Sequence, residues 1–143
     1  MPLFRIMWMQ IFLMVTNFST DDFLGGKLTV KQPKKGYRAG IDPVLLAASV
    51  NAHTGENILD LGCGVGVASL CLSYRISGLK IYGVEIQSDY AALASENGKL
   101  NSIDLNVINA DIAKLPGRLR QIQFDHVIAN PPYFDGLAST SSS

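Results

Sequence analysis

Cysteine, histidine and tryptophan are scarce in this chain of 143 residues, which has two cysteines, two histidines and one tryptophan. Cys63 and Cys71 are too few for the disulfide framework of a small secreted domain, and they show no metal-binding spacing. We therefore expect a reduced, cytoplasmic protein without a metal ion. Cys63 lies within a glycine loop, where we interpret it as a structural residue rather than a nucleophile.

Apolar runs long enough to span a bilayer are also absent. Residues 1–15 are strongly apolar, with Arg5 as their only charge, but they are too few to cross a membrane and lack a small-residue cleavage site. They could form a helix that packs on the domain, a signal-like segment, or sequence upstream of the true start. We favour the last, with Met14 as a candidate start, and treat residues 1–20 as an extension that is not native to the domain.

Neither sign of charge is in excess, because 12 basic side chains balance 12 acidic ones. The distribution is uneven, since residues 1–40 carry six basic and two acidic side chains. Five of the basic residues fall in one span that contains no acid, which predicts a face for an anionic partner. A solvated surface is the alternative. The five residues are Lys27, Lys31, Lys34, Lys35 and Arg38.

A glycine loop is the feature around which the rest of the chain can be arranged. The stretch from Asn57 to Leu61 predicts a short buried strand, glycine then recurs at three alternate positions, and apolar residues at helical spacing resume at Val67. A strand, a glycine turn and a helix open the nucleotide site of a doubly wound α/β sheet. An ordinary tight turn is the alternative.

The spacing of the loop indicates which nucleotide it suits. Its pattern is D-x-G-x-G-x-G, formed by Asp60, Gly62, Gly64 and Gly66, whereas the dinucleotide fingerprint is G-x-G-x-x-G. A carboxylate beside the loop would repel a pyrophosphate, but it suits a ligand with an ammonium group and a sulfonium centre. The loop therefore favours S-adenosylmethionine as the cofactor.

Strands and helices alternate along the rest of the pattern. An edge strand and a helix capped by Asp42 are expected before the loop, and Gly78 is expected to end the helix after it. A helix capped by Ser88 is interpreted as a plain crossover helix. The expected strands are 28–32, 57–61, 80–85, 105–110 and 124–129, and the expected helices are 43–51, 67–74 and 88–100.

Two strands of this pattern end in side chains that suit a ligand. Glu85 stands at the tip of the second strand, counting the strand before the loop as the first. An acidic side chain at this place in the architecture accepts both ribose hydroxyls of a nucleoside. The fourth strand runs into Asn130-Pro131-Pro132-Tyr133. Two consecutive prolines cannot donate to a ladder, so the strand stops in a rigid platform. Alone, Asn-Pro-Pro would indicate only a turn.

The loop and the Asn-Pro-Pro-Tyr motif together resemble those of class I S-adenosylmethionine-dependent methyltransferases, in particular the bacterial enzymes that make N6-methyladenosine in a valine tRNA. The resemblance runs from about residue 21 to 135 and is most specific in the segment 36–43, Gly-Tyr-Arg-Ala-Gly-Ile-Asp-Pro. It implies a Rossmann-like doubly wound sheet, here with about four central strands in the order 3-2-1-4, counted from the strand before the loop. It further implies cofactor contacts by Arg38, by Asp111 to the adenine amino group and by Ile112 to its ring, although an isolated Asp111 would more simply cap a helix.

The resemblance also implies a chemical role for the motif. The side-chain oxygen of Asn130 and the carbonyl of Pro131 accept the two hydrogens of an exocyclic adenine amine, which turns its lone pair towards the methyl group and stabilises the developing positive charge. Pro132 completes the rigid platform, and Tyr133 offers a ring on which a flipped base can stack. The expected function is methylation of adenine N6 in tRNA, with the basic segment from Lys27 to Arg38 facing the RNA.

Three other functional hypotheses remain open at this point. A protein methyltransferase that acts on a glutamine amide uses the same motif but carries a helical substrate domain before the loop, and a DNA adenine methyltransferase would need a recognition domain. An inactive cofactor-binding fragment is the third.

The expected organisation is a methyltransferase domain at 21–135 and a serine-rich tail at 136–143. The family would add three strands, so we expect residues 1–143 alone to self-associate through an exposed edge strand, to be poorly soluble and not to methylate tRNA.

Overall fold

The computed structural model describes residues 17–132, so the expectations for residues 1–16, for Tyr133 and for the serine-rich tail lie outside the described residues. The described part begins with an antiparallel hairpin of β1 (Phe18–Phe23) and β2 (Leu28–Pro33). Strand β1 lies on both sides of the expected boundary at residue 20. No helix in the described range is long and apolar enough to cross a membrane.

A sheet of four parallel strands follows the hairpin, in the spatial order β5-β4-β3-β6. Counted from the strand before the glycine loop, this is the predicted order 3-2-1-4, and the predicted Rossmann-like α/β class is confirmed. The strands are β3 (Asn57–Leu61), β4 (Lys80–Glu85), β5 (Leu105–Asn109) and β6 (His126–Ala129). The helices are α1 (Asp42–Ser49), α2 (Val67–Arg75), α3 (Ser88–Leu100) and the single turn α4 (Gly117–Arg120), with a 3-10 turn at Ile112–Lys114.

Both faces of the sheet are covered, because successive side chains of a strand point to opposite faces. Ile58 and Ile81 are fully buried in the larger core, which they share with α1, α2, α3 and the hairpin. Leu59 and Val84 lie in a smaller core on the other face, packed with Leu119 of α4. Burial of each large aliphatic side chain contributes roughly 1.5–3 kcal/mol, so the two layers hold the strand ends in fixed positions.

Helix α3 attaches the hairpin to the domain through two asparagines that lie one turn apart. The side-chain amide of Asn97 accepts from the backbone N–H of Lys31 at 2.8 Å and donates to its carbonyl at 3.0 Å, and Asn101 bonds Thr29 in the same way at 2.9 and 2.8 Å. Alternate residues of a strand present their backbone groups to the same side, so the two amides replace a neighbouring strand for β2. Helix α3 is therefore more than the plain crossover helix that the sequence suggested.

The helix ends differ from the expected caps. Asp42 and Ser88 each lie one residue inside their helix, and the residues at the cap positions, Ile41 and Gln87, make no side-chain cap bond. Helix α2 ends at Arg75, so Gly78 lies beyond its end, where a φ of +77° serves the turn into β4. The predictions of these caps were wrong because they rested on residue type, whereas a cap is defined by where the helical backbone begins.

Two strand boundaries also differ from the prediction. Strand β6 begins at His126 rather than at residue 124, because Asp125 is bonded to Asn57 of β3 through both its N–H and its carboxylate, each at 2.8 Å. Strand β1 was not predicted at all. The pairing of β2 with β1 leaves β2 between the hairpin partner and α3, rather than at an open edge.

Candidate functional site

A cleft opens at the carboxyl ends of β3, β4 and β6, which is where a parallel sheet of this kind binds its ligands. The glycine loop forms its floor, the end of β4 one wall, and the segment before α1 together with the end of β6 the other. Six of the residues predicted from the sequence line this cleft: Asp60, Gly62, Gly64, Glu85, Asn130 and Pro132.

The glycines of the loop have two different roles. Gly62 and Gly64 have φ values of +69° and +56°, and a Cβ on either would stand in open space, so the left-handed backbone rather than crowding requires glycine. The loop backbone is thereby left open to a ligand. Gly66 does not line the cleft, and a Cβ there would lie 3.1 Å from the side chain of Leu105. Its φ of +92° also favours glycine, and its lack of a side chain lets the start of α2 pack closely on β5.

Asp60 ends the predicted strand as a buried carboxylate, with only 2% of its surface exposed. The hydroxyl of Ser69 on α2 donates to one of its oxygens at 2.6 Å. The pKa of Asp60 is raised to about 6, mainly by burial and also by the nearby charge of Glu85, while the hydrogen bond from Ser69 opposes the rise. A carboxylate that is costly to ionise here would gain from a cationic partner in the cleft.

The Glu85 carboxylate is held in a fixed orientation between the loop and the end of β4. One of its oxygens accepts from the N–H of Gly64 and the other from the N–H of Gln87, both at 2.9 Å. Each carboxylate oxygen can accept a second hydrogen bond, so Glu85 retains the capacity to bind two hydroxyls of a ligand. Together with Asp60, it gives the cleft a negative charge.

Cys63 fills space beneath the loop. A Cβ added to Gly83 of β4 would lie 2.8 Å from its sulfur, so the thiol and this glycine are packed against each other. Burial, together with the charges of Asp60 and Glu85, raises the pKa of the Cys63 thiol far above its usual range. The thiol is therefore protonated at neutral pH, which agrees with the structural role expected from the sequence.

Asn130 brings the end of β6 to the cleft. Its side-chain Nδ2 donates to the hydroxyl of Tyr37 at 3.3 Å, and Pro132 lines the cleft beside it. Pro131 is exposed and does not line the cleft, and Tyr133 lies outside the described residues. The cofactor loop and the first residue of the proposed amine-binding motif thus share one cavity.

In addition to Gly66, three predicted cofactor residues do not line this cleft. The guanidinium of Arg38 instead bonds the carboxylate of Asp21 at 2.6 Å and the carbonyl of Pro33 at 2.7 Å. Asp111 caps the 3-10 turn by accepting from the N–H of Ala113 at 2.8 Å, which is the simpler role that an isolated aspartate suggests. Ile112 follows it with its side chain 57% exposed. Their contacts with a cofactor stay predictions.

Sequence reasoning missed several residues of the cleft. Tyr37 and Tyr90 line it, and Ser69 supports Asp60 from one turn into α2. The segment 36–43, which contains Tyr37, was singled out from the sequence, but the position of Tyr37 in the cleft was not predicted. Ile86 directly follows Glu85 and is 65% exposed, which could have been noticed as an apolar residue at the tip of a strand. Among residues 17–132, no cluster of three His, Cys, Asp or Glu side chains is placed to hold a metal ion.

The family model described as "Methyltransferase small domain" matches residues 38–142 of this chain. The match covers most of the chain, including the glycine loop, the end of β4 and the Asn-Pro-Pro-Tyr motif. The chain belongs to this methyltransferase family, and the predicted class of enzyme, with S-adenosylmethionine as its cofactor, is confirmed at the level of the family.

Curated relatives are similar over most of this chain but are longer than it. The tRNA1(Val) (adenine(37)-N6)-methyltransferase of Vibrio vulnificus is 32% identical over 118 residues, which are 81% of this chain and 48% of the relative. The protein of the same name from Shewanella halifaxensis is 36% identical over 107 residues, 73% of this chain and 43% of the relative. An uncharacterised protein, MG259 of Mycoplasma genitalium, is 34% identical over 75% of this chain and 23% of its own length. The chain thus spans about half or less of the length of these relatives.

Solved structures share the fold at lower identity. The 16S rRNA N2 G1207 methyltransferase of T. thermophilus, solved with AdoMet and guanosine, has a TM-score of 0.65 at 21% identity, over 83% of this chain and 33% of that one. A SAM-dependent methyltransferase of Agrobacterium tumefaciens has a TM-score of 0.63 at 20% identity, over 81% and 40%. These likenesses agree with the four-stranded parallel sheet and its order.

Proposed function

We propose that this chain carries the cofactor site and the amine-binding motif of an S-adenosylmethionine-dependent methyltransferase that modifies the exocyclic N6 of adenine in tRNA. One observation carries the proposal: Asn130 lines the same cleft as the glycine loop and Glu85. A methyl donor on the loop would therefore lie beside an amine held by Asn130. The relatives named as tRNA adenine-N6 methyltransferases support the choice of substrate.

The chain's own groups fit the chemistry of the cofactor. The open backbone at Gly62 and Gly64 admits a ligand, and the buried carboxylate of Asp60 attracts its ammonium group. The fixed carboxylate of Glu85 accepts its ribose hydroxyls. Asp111 and Ile112, at the end of the neighbouring strand β5, are proposed to contact the adenine through the carboxylate oxygen that does not cap the turn and through the exposed apolar side chain.

The motif acts on the nitrogen that receives the methyl group. Bound S-adenosylmethionine supplies an electrophilic methyl carbon: the amine lone pair forms the new N–C bond while the C–S bonding electrons pass to sulfur. The Asn130 oxygen and the Pro131 carbonyl accept the two amine hydrogens, which turns the lone pair out of conjugation with the ring. The same oxygens stabilise the positive charge that develops on nitrogen until a proton leaves to water. No strong base is required.

The basic segment from Lys27 to Arg38 divides into two parts. Lys31 pairs with Glu96 and Arg38 with Asp21, so the charge of these two side chains is largely compensated within the fold. Lys34 and Lys35 are exposed and directly precede the Gly36-Tyr37 corner of the cleft. We assign the contact with RNA phosphates to these two lysines, because a phosphate next to a target base must lie near the mouth of the cleft.

The direct test incubates methyl-labelled S-adenosylmethionine and total tRNA with this chain in a complete enzyme of its relatives' length, followed by digestion to nucleosides. Labelled N6-methyladenosine that disappears in the Asn130→Ala variant is the expected result. Label in protein rather than in RNA would replace the proposal with methylation of a glutamine amide. Binding of the cofactor without any transfer would identify the chain as a cofactor-binding fragment.

A further inference from the structure

Tyr37 lines the cleft and contacts Asn130, although the sequence alone indicates no role for this tyrosine. Its ring lines the cleft with 51% of its surface exposed, and its hydroxyl lies 3.3 Å from Nδ2 of Asn130. The two residues are 93 positions apart in the chain. Within the described residues, Tyr37 is the side chain that the structure bonds to the Asn130 amide.

The backbone of Tyr37 is held on both sides. The hydroxyl of Tyr90, on α3, donates to the Tyr37 carbonyl at 3.3 Å. Gly36 makes this approach possible, because it has a φ of +93° and any Cβ there would lie 2.9 Å from the Tyr90 hydroxyl. After Tyr37, the N–H of Ala39 donates at 2.8 Å to the side chain of Gln32, which is itself buried. The backbone that carries the Tyr37 ring is therefore fixed by the fold.

An asparagine amide has two faces with opposite hydrogen-bonding character, and only one of them can activate an amine. Nδ2 donates, so in the flipped orientation it would face the donor hydrogens of the target and repel them. The hydroxyl oxygen of Tyr37 accepts from Nδ2. Occupation of Nδ2 by this partner leaves Oδ1 directed to other groups.

We propose that Tyr37 is a positioning residue, whose hydroxyl holds the side chain of Asn130 through Nδ2, so that Oδ1 remains available to the amine of the substrate. This inference rests on the proposed function for its chemical consequence, but the contact itself can be tested without any catalysis. Tyr37 bonds the Asn130 side chain, and Tyr90 bonds the carbonyl of Tyr37. The placement of Asn130 thus depends on a tyrosine in the segment before the glycine loop.

The contact is tested by nitrogen-15 NMR of the full chain with labelled asparagine and bound S-adenosylhomocysteine, in solution or as a sedimented solid. The Asn130→Ala variant identifies the Asn130 side-chain amide signals. Tyr37→Phe keeps the ring and removes the acceptor, so it should shift these signals. Tyr74→Phe is the matched control, because Tyr74 is also half-exposed but does not line the cleft, and it should leave them in place. Unchanged Asn130 signals in Tyr37→Phe would overturn the proposal.

The consequence for the reaction is tested by the split between kcat and KM. Tyr37→Phe should lower kcat for tRNA by about five- to tenfold, the loss expected for one neutral hydrogen bond, while the cofactor Kd stays unchanged. In the Asn130→Ala background the same substitution should have no further effect on kcat. Independent, multiplying effects of the two substitutions would overturn the positioning role. If the complete parent enzyme transfers no methyl group, the proposed function fails, and the NMR result on the chain still decides whether the Tyr37 hydroxyl contacts Asn130.

Discussion

The protonation of Asp60 should control cofactor affinity, and a change of pH is the simplest perturbation that tests it. Asp60 is 2% exposed, and its pKa is raised to about 6, first by burial and then by the charge of Glu85, while the hydrogen bond from Ser69 lowers it. The unfolded chain has its aspartates at the ordinary value near 3.8. The free protein therefore takes up a proton at Asp60 at mildly acidic pH, well above the range in which an exposed aspartate would do so.

The sign of the effect on stability follows from the raised pKa. A folded-state pKa above the unfolded one means that the stabilising contribution is fully present below about pH 3.8 and is lost as the pH rises through about 6. A shift of this size corresponds to about 3 kcal/mol, at 1.36 kcal/mol for each pKa unit. The ligand-free protein thus contains a carboxylate that is destabilising at neutral pH. A bound ammonium group would offset that cost by favouring the ionised form.

Calorimetric titration with S-adenosylmethionine, in buffers of different ionisation enthalpy, measures the cofactor affinity and the number of protons released on binding. Below about pH 6 the affinity should fall by up to tenfold for each pH unit, and binding should release close to one proton at about pH 5 but almost none at about pH 8. Asp60→Asn is the matched control, since it keeps the shape and cannot titrate. It should bind more weakly at neutral pH and show no proton release from this site.

Two results would refute this reasoning. The first is a cofactor affinity that stays flat between about pH 5 and about pH 7, because a group with a pKa near 6 that contacts a cation must show linkage in that range. The second is the same proton release from the wild-type protein and from Asp60→Asn, which would assign the titration to another group. Either result would remove Asp60 from the role of partner for the ammonium group.

Three further substitutions test the site and its support. Glu85→Ala should weaken cofactor binding by roughly 1.5–3 kcal/mol in calorimetry, because a charged acceptor is lost, and an unchanged Kd would contradict the ribose assignment. In a complete enzyme, Asn130→Ala should lower the turnover of tRNA by on the order of a hundredfold or more with nearly unchanged cofactor affinity, because its oxygen acts mainly in the transition state; near-normal turnover would argue against this role. Asn97→Ala should lower the free energy of unfolding, measured in urea, by about 2–3 kcal/mol, because it leaves backbone groups of Lys31 unpaired. Asn106 is exposed, so Asn106→Ala should change this free energy by less than about 0.5 kcal/mol. Equal effects of these two asparagine variants would contradict the docking role.

The four parallel strands and their order could be predicted because each is a short apolar segment of the expected length between clear turn signals. Strand β1 could not, because Ser19, Thr20, Asp21 and Asp22 lie in its centre and give no strand signal by themselves. The strand is stabilised by pairing with β2, which is a tertiary contact. The same limit explains the predicted caps: residue type indicated where a helix starts only to within one residue.

The site could be predicted only in the parts that the order of the strands determines. Asp60, the first two loop glycines, Glu85 and Asn130 all lie at or just beyond the carboxyl ends of strands, and the parallel sheet brings these ends together. Arg38 has no such constraint. Its guanidinium lies against Asp21, 17 residues earlier, because the hairpin folds back beside it, and no local pattern contains that contact. Tyr37, one residue before Arg38, enters the cleft instead.

Helix α3 connects these unpredicted features, since its buried face supports the wall before α1 and the floor of the cleft. At its start, Tyr90 holds the carbonyl of Tyr37; two turns later, Asn97 bonds β2 and also donates to the carbonyl of Val65 in the glycine loop at 2.9 Å. Asn97 is fully buried, so water cannot reach its amide and these bonds satisfy its polar atoms. The spacing of apolar residues in α3 indicates only a crossover helix between two strands. In the structure this helix fixes the segment around Tyr37, the hairpin and the glycine loop relative to one another. Substitutions on this face should alter cofactor binding and Asn130 together, although Tyr90 alone among these α3 residues lines the cleft.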